Sequence, residues 1–427
     1  MTRTLVLLGA SLAPFAACTV DDLPVASKHA AAGASGEAGA GAGGASGIGG
    51  GGAGGIGGAG AGGGPPDAAA GFGGAAGATD AALDGDASCA PGLGDCDSQA
   101  SNGCEEDLTS SALHCGACNH DCLGGACVAS ECQPVVLFGD AIDSTFSGPW
   151  GLALDATHVY VTVTRYGNTG YVLRLEKDGK NPQKIAPSEG EPFEVAIDAT
   201  DVYWTNNLAS TGTVRKVAKT GGSVTTLAAS QERPVGISLD ATSVYWANDD
   251  GGQVRKVPKS GGTVVDLATA QARPRSTLVS AGFVFFVTVT DGHVRRAPSS
   301  GGAFDDVVDG AKSPWVLALD PSGNELFFTG FAPGGGVYSA PATALNAPPN
   351  PIALNQDKAM YAHADATHVY FTSHEIGTGF VARIPRTGSS SVETIAQNIE
   401  TPTVVTSDAV AVYWVEYDGA RVMKLAK

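Results

Sequence analysis

Between residues 134 and 427, short runs of alternating apolar and polar residues return at a nearly fixed interval, broken each time by Asp, Thr, Lys or a Gly pair. One unit, "RPVGISLDATSVYWANDDGGQVRKVPKSGGTVVDLATA", holds four such runs: "VGISL", "SVYWAN", "QVRKVP" and "TVVDLA". A period of two is the signature of a strand, and the intervening "DAT", "DDGG" and "KSGG" are turn signals. A helical repeat of this length would need apolar residues at i, i+3 and i+4 over ten or more positions, and no unit shows that. An apolar-aromatic pair marks the same place in each copy: Val159-Tyr160, Val202-Tyr203, Val244-Tyr245, Val284-Phe285, Leu326-Phe327, Val369-Tyr370 and Val412-Tyr413, spaced by 43, 42, 40, 42, 43 and 43 residues.

Four strands in about 42 residues is the repeat of a β-propeller blade, so the expected fold class is all-β, a propeller over 134–427. The last copy stops after its third strand at "RVMKLAK", and the missing outer strand can come from "PVVLFGD", Pro134 to Asp140. Pairing the two ends closes the ring and removes exposed strand edges. The count is then seven, or six or eight if the divergent fourth or fifth copy is out of register. Within the repeat, Trp204, Trp246 and Trp414, with Phe286, Phe328 and Phe371, hold one position and read as packing. Asp155, Asp198, Asp240 and Asp365 of the "DAT" phrase read as turn caps. The phrase "VYWTN" resembles the YWTD-type propeller repeat of the low-density-lipoprotein receptor. The pattern "G.V.R.P..GG" is similar to bacterial repeat propellers of unassigned function. Both resemblances imply the fold.

Upstream the pattern is lost. From about Ala30 to Ala82 the chain is Gly and Ala with almost no charge, a composition that cannot bury enough apolar area to offset backbone ordering and so predicts a disordered linker within 18–88. The first 17 residues, "MTRTLVLLGASLAPFAA", pair Arg3 with an apolar stretch too short to span a bilayer, as in a signal peptide. Cys18 follows the small pair Ala16-Ala17 and resembles the lipobox cysteine of bacterial lipoproteins, with Phe15 in place of the usual Leu. The resemblance implies lipidation at Cys18, a membrane partner through that lipid, and an exported chain at the cell envelope, outer membrane or cell surface.

Residues 89–132 carry the other eight cysteines (Cys89, Cys96, Cys104, Cys115, Cys118, Cys122, Cys127 and Cys132) and almost no large apolar residues, so this small module must rely on disulfides. Zinc at Cys115, Cys118 and Cys122 with His114 and His120 is the competing reading. The spacing "NGCE…DL…HCGxC…C…C…C" resembles the cysteine-rich modules of exported myxobacterial proteins and, more loosely, the stigma-specific plant family, which implies an extracytoplasmic location. Asp95, Asp97, Asn102, Glu105 and Glu106 offer hard oxygen ligands that suit calcium.

The formal charge of -18, with no run of Lys or Arg, argues against a nucleic-acid partner. No named catalytic motif is present. Propellers build sites from single residues of different blades at the channel mouth, so the informative positions are those where the repeats disagree. On the innermost strands these are Trp150, Glu194, Arg275, Trp315 and Tyr361. The loops between second and third strands add Asp249, Asp250 and Tyr417. These predict a mouth for a protein, peptide or glycan ligand on a monomeric binding protein. The alternative is a hydrolase or lyase acting on a lactone or polysaccharide, with His363, His374, Glu375 and Glu194 as candidate metal ligands or acid-base groups.

Overall fold

The structure is a computed structural model, and it describes residues 89–97, 99, 103–165, 169–388 and 391–427. The expected leader, Cys18 and the Gly/Ala linker lie outside the described residues, as does Asn102. Seven four-stranded antiparallel sheets make a seven-bladed β-propeller, with no helix among the described residues. Six blades are continuous in sequence, at 149–189, 192–231, 234–268, 274–308, 314–354 and 359–399. The seventh combines Pro402–Ser407, Ala411–Glu416 and Arg421–Ala426 with Val135–Gly139 from the other end of the propeller, Gly139 opposite Arg421 and Phe138 opposite Val422.

The second strand of each blade explains why the ring holds. Its side chains alternate between two neighbours. Val244 and Trp246 pack with Tyr203 of the preceding blade, while Tyr245 and Ala247 pack with Val284 and Phe286 of the next. The same arrangement places Tyr160 against Val202 and Trp204, and Tyr370 against Val412 and Trp414. Trp204 and Trp246 are wholly buried, so truncating either to Ala would cost about 3–5 kcal/mol.

Each turn-capping Asp also fastens one blade to another. Asp198 Oδ1 accepts the N–H groups of Thr200 and Asp201, and its Oδ2 accepts the Tyr203 hydroxyl and, at 2.9 Å, the Lys259 ammonium of the following blade. The clasp recurs as Lys219 on Asp155, Arg386 on Asp320, Lys427 on Asp365 and Lys177 on Asp408. Burial pushes the Asp155, Asp198 and Asp365 carboxyls up, but their lysines and backbone N–H groups hold them below the ordinary range. The fourth blade lacks the device on both sides, since Ser280 replaces the capping Asp, and Ser299 and Ala342 stand where the lysines would be.

The cysteine module closes with four disulfides, Cys89–Cys104, Cys96–Cys118, Cys115–Cys127 and Cys122–Cys132, around two small hairpins. All the cysteines of the zinc reading are therefore oxidised and offer no thiolate. Carboxylate oxygens of Asp95, Asp97 and Glu105 lie within 4.8 Å of one another, while Glu106 is not in that group and sits in a hairpin opposite Gly94. Glu105 accepts the Cys96 N–H, and Asp97 accepts both the backbone and side-chain N–H of Gln99. The module rests against the end of the propeller chain, with His120 Nε2 2.8 Å from the Lys427 carbonyl oxygen.

Candidate functional site

All seven innermost strands begin with the same irregularity. Their pairing with the second strand slips just after the first residue or two, for instance between Pro192 and Val195, Arg275 and Thr277, or Ala359 and Ala362. Such a bulge releases residues from the ladder and re-aims them. The residues at these bulges are Trp150-Gly151, Phe193-Glu194, Val235-Gly236, Arg275-Ser276, Trp315-Val316, Met360-Tyr361 and Thr403-Val404, of which Val235 and Arg275 keep their partners Ala247 and Val287. All of these but Gly151 line one cavity of about 70 Å³, partly open to solvent, at the channel mouth; Ile237, Thr277 and Leu317 complete it.

Threonines one place beyond the packing aromatic support these bulges. Thr372 Oγ1 accepts the Tyr361 N–H and donates to the Thr403 carbonyl of the next blade, and Thr329 accepts from Val316 N–H and donates to the Met360 carbonyl. Thr162 does the same between Gly151 and Phe193. The fit is close: a Cβ on Gly151 would lie 2.5 Å from the Phe193 carbonyl oxygen. Just before each bulge one residue is left-handed: Gly148, Glu191, Arg233, Arg273, Ser313, Lys358 and Thr401. Their carbonyls accept the N–H of Thr164, Asn207, Asp249, Val289, Phe331, His374 and Tyr417, respectively. For the six that are not glycine this conformation costs on the order of 1 kcal/mol each. The strain is spent where two rings of loop residues meet.

The cavity has an acidic and a basic pole between aromatic walls. Trp150 stacks on Phe193 with ring centroids 4.4 Å apart and takes the edge of Tyr417 at 5.5 Å, and Trp315 stacks on Phe331 at 4.6 Å. At the acidic pole the Tyr361 hydroxyl donates across the ring to Glu194 Oε2 at 3.4 Å. Burial pushes the Glu194 carboxyl up to about 7, against the pull of Tyr361 and Arg275. Burial and the Glu194 charge push the Tyr361 phenol well above its ordinary value. At the basic pole the Arg275 guanidinium lies 3.9 Å over the Trp315 ring and donates from Nη2 to Asp249 Oδ2 at 2.8 Å. Asp249, fully buried, also accepts from Arg273 at 3.1 Å, and the two guanidinium groups hold its carboxyl low although burial pushes it up. Asp250 pairs with Arg233 at 2.7 Å.

The candidate acid-base residues do not converge. Glu194 lines the cavity. His374 is buried beside Trp150, at 6.4 Å between ring centroids, with Nδ1 3.4 Å from the Pro402 carbonyl oxygen; burial lowers its pKa. Glu375 pairs with Lys358 at 3.2 Å. His363 is not among the cavity residues. Its Nε2 lies 3.1 Å from Ser407 Oγ, which also receives Lys427 Nζ, and burial together with that lysine lowers it to about 4. Arg273, the bulge-supporting threonines and the left-handed residues escaped the sequence reading. The recurring Thr of "VYVT", "VYWT" and "VYFT" was the available signal.

No protein-family model matches the sequence, and no curated protein does. Among solved structures the chain is similar to a catalytically inactive virginiamycin B lyase from Staphylococcus aureus with quinupristin, at 15% identity and TM-score 0.54, covering 69% of this chain and 98% of that one. It is similar to a streptogramin B lyase at 16% identity and TM-score 0.52, with the same coverage. A nidogen/laminin complex follows at 14% identity and TM-score 0.41, covering 64% of this chain and 89% of that one. At these identities the likeness is one of fold.

Proposed function

We propose that this is an exported, lipid-anchored binding protein of the bacterial cell envelope whose propeller mouth holds a ligand. A propeller fits a binding platform, and four disulfides suit an oxidising compartment. Among the described residues no helix is long and apolar enough to cross a membrane. Attachment in this reading is through a lipid on Cys18. The observation that carries the reading is the cavity itself: stacked aromatic walls, with its cation already paired to a carboxylate. Full-length protein probed on peptide and glycan arrays is expected to bind, with the signal lost in Trp150→Ala. Equal signals from wild type and variant would move the ligand elsewhere.

The second reading is an acid-base lyase or hydrolase, favoured by one observation: a carboxyl with its pKa near 7 beside a phenol in the cavity. Incubation with a cyclic lactone such as quinupristin separates the two. Ring-opened product that disappears in Glu194→Gln supports the enzyme, and intact lactone leaves the binding reading alone.

A further inference from the structure

Three guanidinium groups stand at the third and fourth blades, Arg233, Arg273 and Arg275, and two carboxylates answer them, Asp249 and Asp250. Arg275 is the member of this group that lines the cavity. One face of its guanidinium is covered by Trp315, Nη2 is taken by Asp249, and Nε is buried with no hydrogen-bond partner. A buried donor left unmatched costs about 1–3 kcal/mol, which a ligand acceptor would recover. At the opposite pole, Glu194 receives the Tyr361 hydroxyl on Oε2. The stacked pair Trp150 and Phe193 also lines the cavity.

We infer that the mouth selects a small planar organic anion, an arene carboxylate, with its carboxylate at the unmatched Nε of Arg275 and its ring against the Trp150–Phe193 pair. Planar guanidinium suits a carboxylate because its N–H groups can meet both oxygens, and charge-assisted bonds of this kind are roughly twice as strong as neutral ones. The inference rests on the binding reading above and names the ligand chemistry of that same site.

The test uses the full-length protein and three probes of one shape: 2-naphthoate, the uncharged 2-naphthamide, and 2-naphthyltrimethylammonium. Titration calorimetry at pH 6.5 is expected to give 2-naphthoate an affinity at least tenfold above the amide, with no measurable heat from the cation. The doubly substituted Asp249→Asn/Arg275→Gln protein, which removes both charges of the buried pair, is expected to bind carboxylate and amide within about twofold of each other. The wild-type comparison needs no variant to fold. Amide or cation binding as tightly as the carboxylate would overturn the anion assignment while leaving a ligand-binding mouth. No heat from any probe overturns it too. Array binding sensitive to Trp150→Ala would then show that this inference alone has failed, and silent arrays would show that the binding reading has failed with it.

Discussion

Glu194 sets the pH dependence of stability that can be attributed to the mouth. Its carboxyl stands at about 7 in the folded chain against 4.5 for an unperturbed glutamate, so the folded state binds a proton more tightly than the unfolded one. A raised carboxyl pKa contributes stability that is complete below pH 4.5 and is lost as the pH rises through 7. Each unit of difference is worth about 1.36 kcal/mol, which makes the full loss about 3 kcal/mol, most of it between pH 5 and 8. The groups facing Glu194 keep their charge state over this range: Tyr361 stays a phenol and Arg275 a cation. His363 and His374 have lowered pKa values and act in the opposite direction, losing stability as the pH falls below 6.5, so the raw profile mixes signs. The difference between wild type and Glu194→Gln removes that mixture. Guanidinium unfolding followed by tryptophan fluorescence is expected to show Gln gaining on wild type by about 3 kcal/mol from pH 5 to pH 8. Parallel profiles, differing by less than about 1 kcal/mol over the range, would refute the burial argument for this carboxyl.

Four further outcomes are expected. Asp249→Asn leaves Arg273 and Arg275 without their carboxylate and should cost about 3–5 kcal/mol in the same unfolding assay, with much of it regained in the double variant with Arg275→Gln; a neutral single variant would contradict the pairing. Ser299→Lys supplies the missing clasp to Asp240 and Tyr245 and should raise stability by up to about 1 kcal/mol, against no change if the clasp is idle. Replacing Cys122 and Cys132 together by Ser should cost about 2–3 kcal/mol and expose the segment before Val135 to protease, and an unchanged digestion pattern would count against the module as a brace. Cells fed a tagged fatty acid should label the wild-type protein but not Cys18→Ala; an unlabelled wild type removes the anchor.

The ring was legible because a propeller writes its packing as a repeat. The Val-Tyr pair recurs, and each copy alternates between two neighbours by the pleat alone. Even the shared blade could be read, from a missing strand at one end and a spare one at the other. The mouth was legible as a set of positions, since the second residue of every innermost strand does line one cavity. What they do there was not. Asp249 and Asp250 looked like open carboxylates, but arginines that the repeat places beside them take both. The turn-capping Asp was read only as a cap, while its second oxygen also receives the lysine of the neighbouring blade, an arrangement visible only when blades are side by side. His363 and Tyr361 stand two residues apart on one strand, yet Tyr361 reaches Glu194 and His363 meets Ser407. Alternation gave the face of the strand but not the depth along the channel.

The shared seventh blade also fixes an order of events in time. Val135–Gly139 must wait for Arg421–Ala426, roughly 280 residues later, and at common synthesis rates that gap is on the order of tens of seconds. The cysteine module has no such delay, since its disulfides join residues 10 to 22 apart. Cys132 lies three residues before Val135, so a finished module holds the start of the waiting strand while the ring is still being made. Closure then depends on the last six strand residues, and a chain stopped just short of them would carry six complete sheets and an open seam.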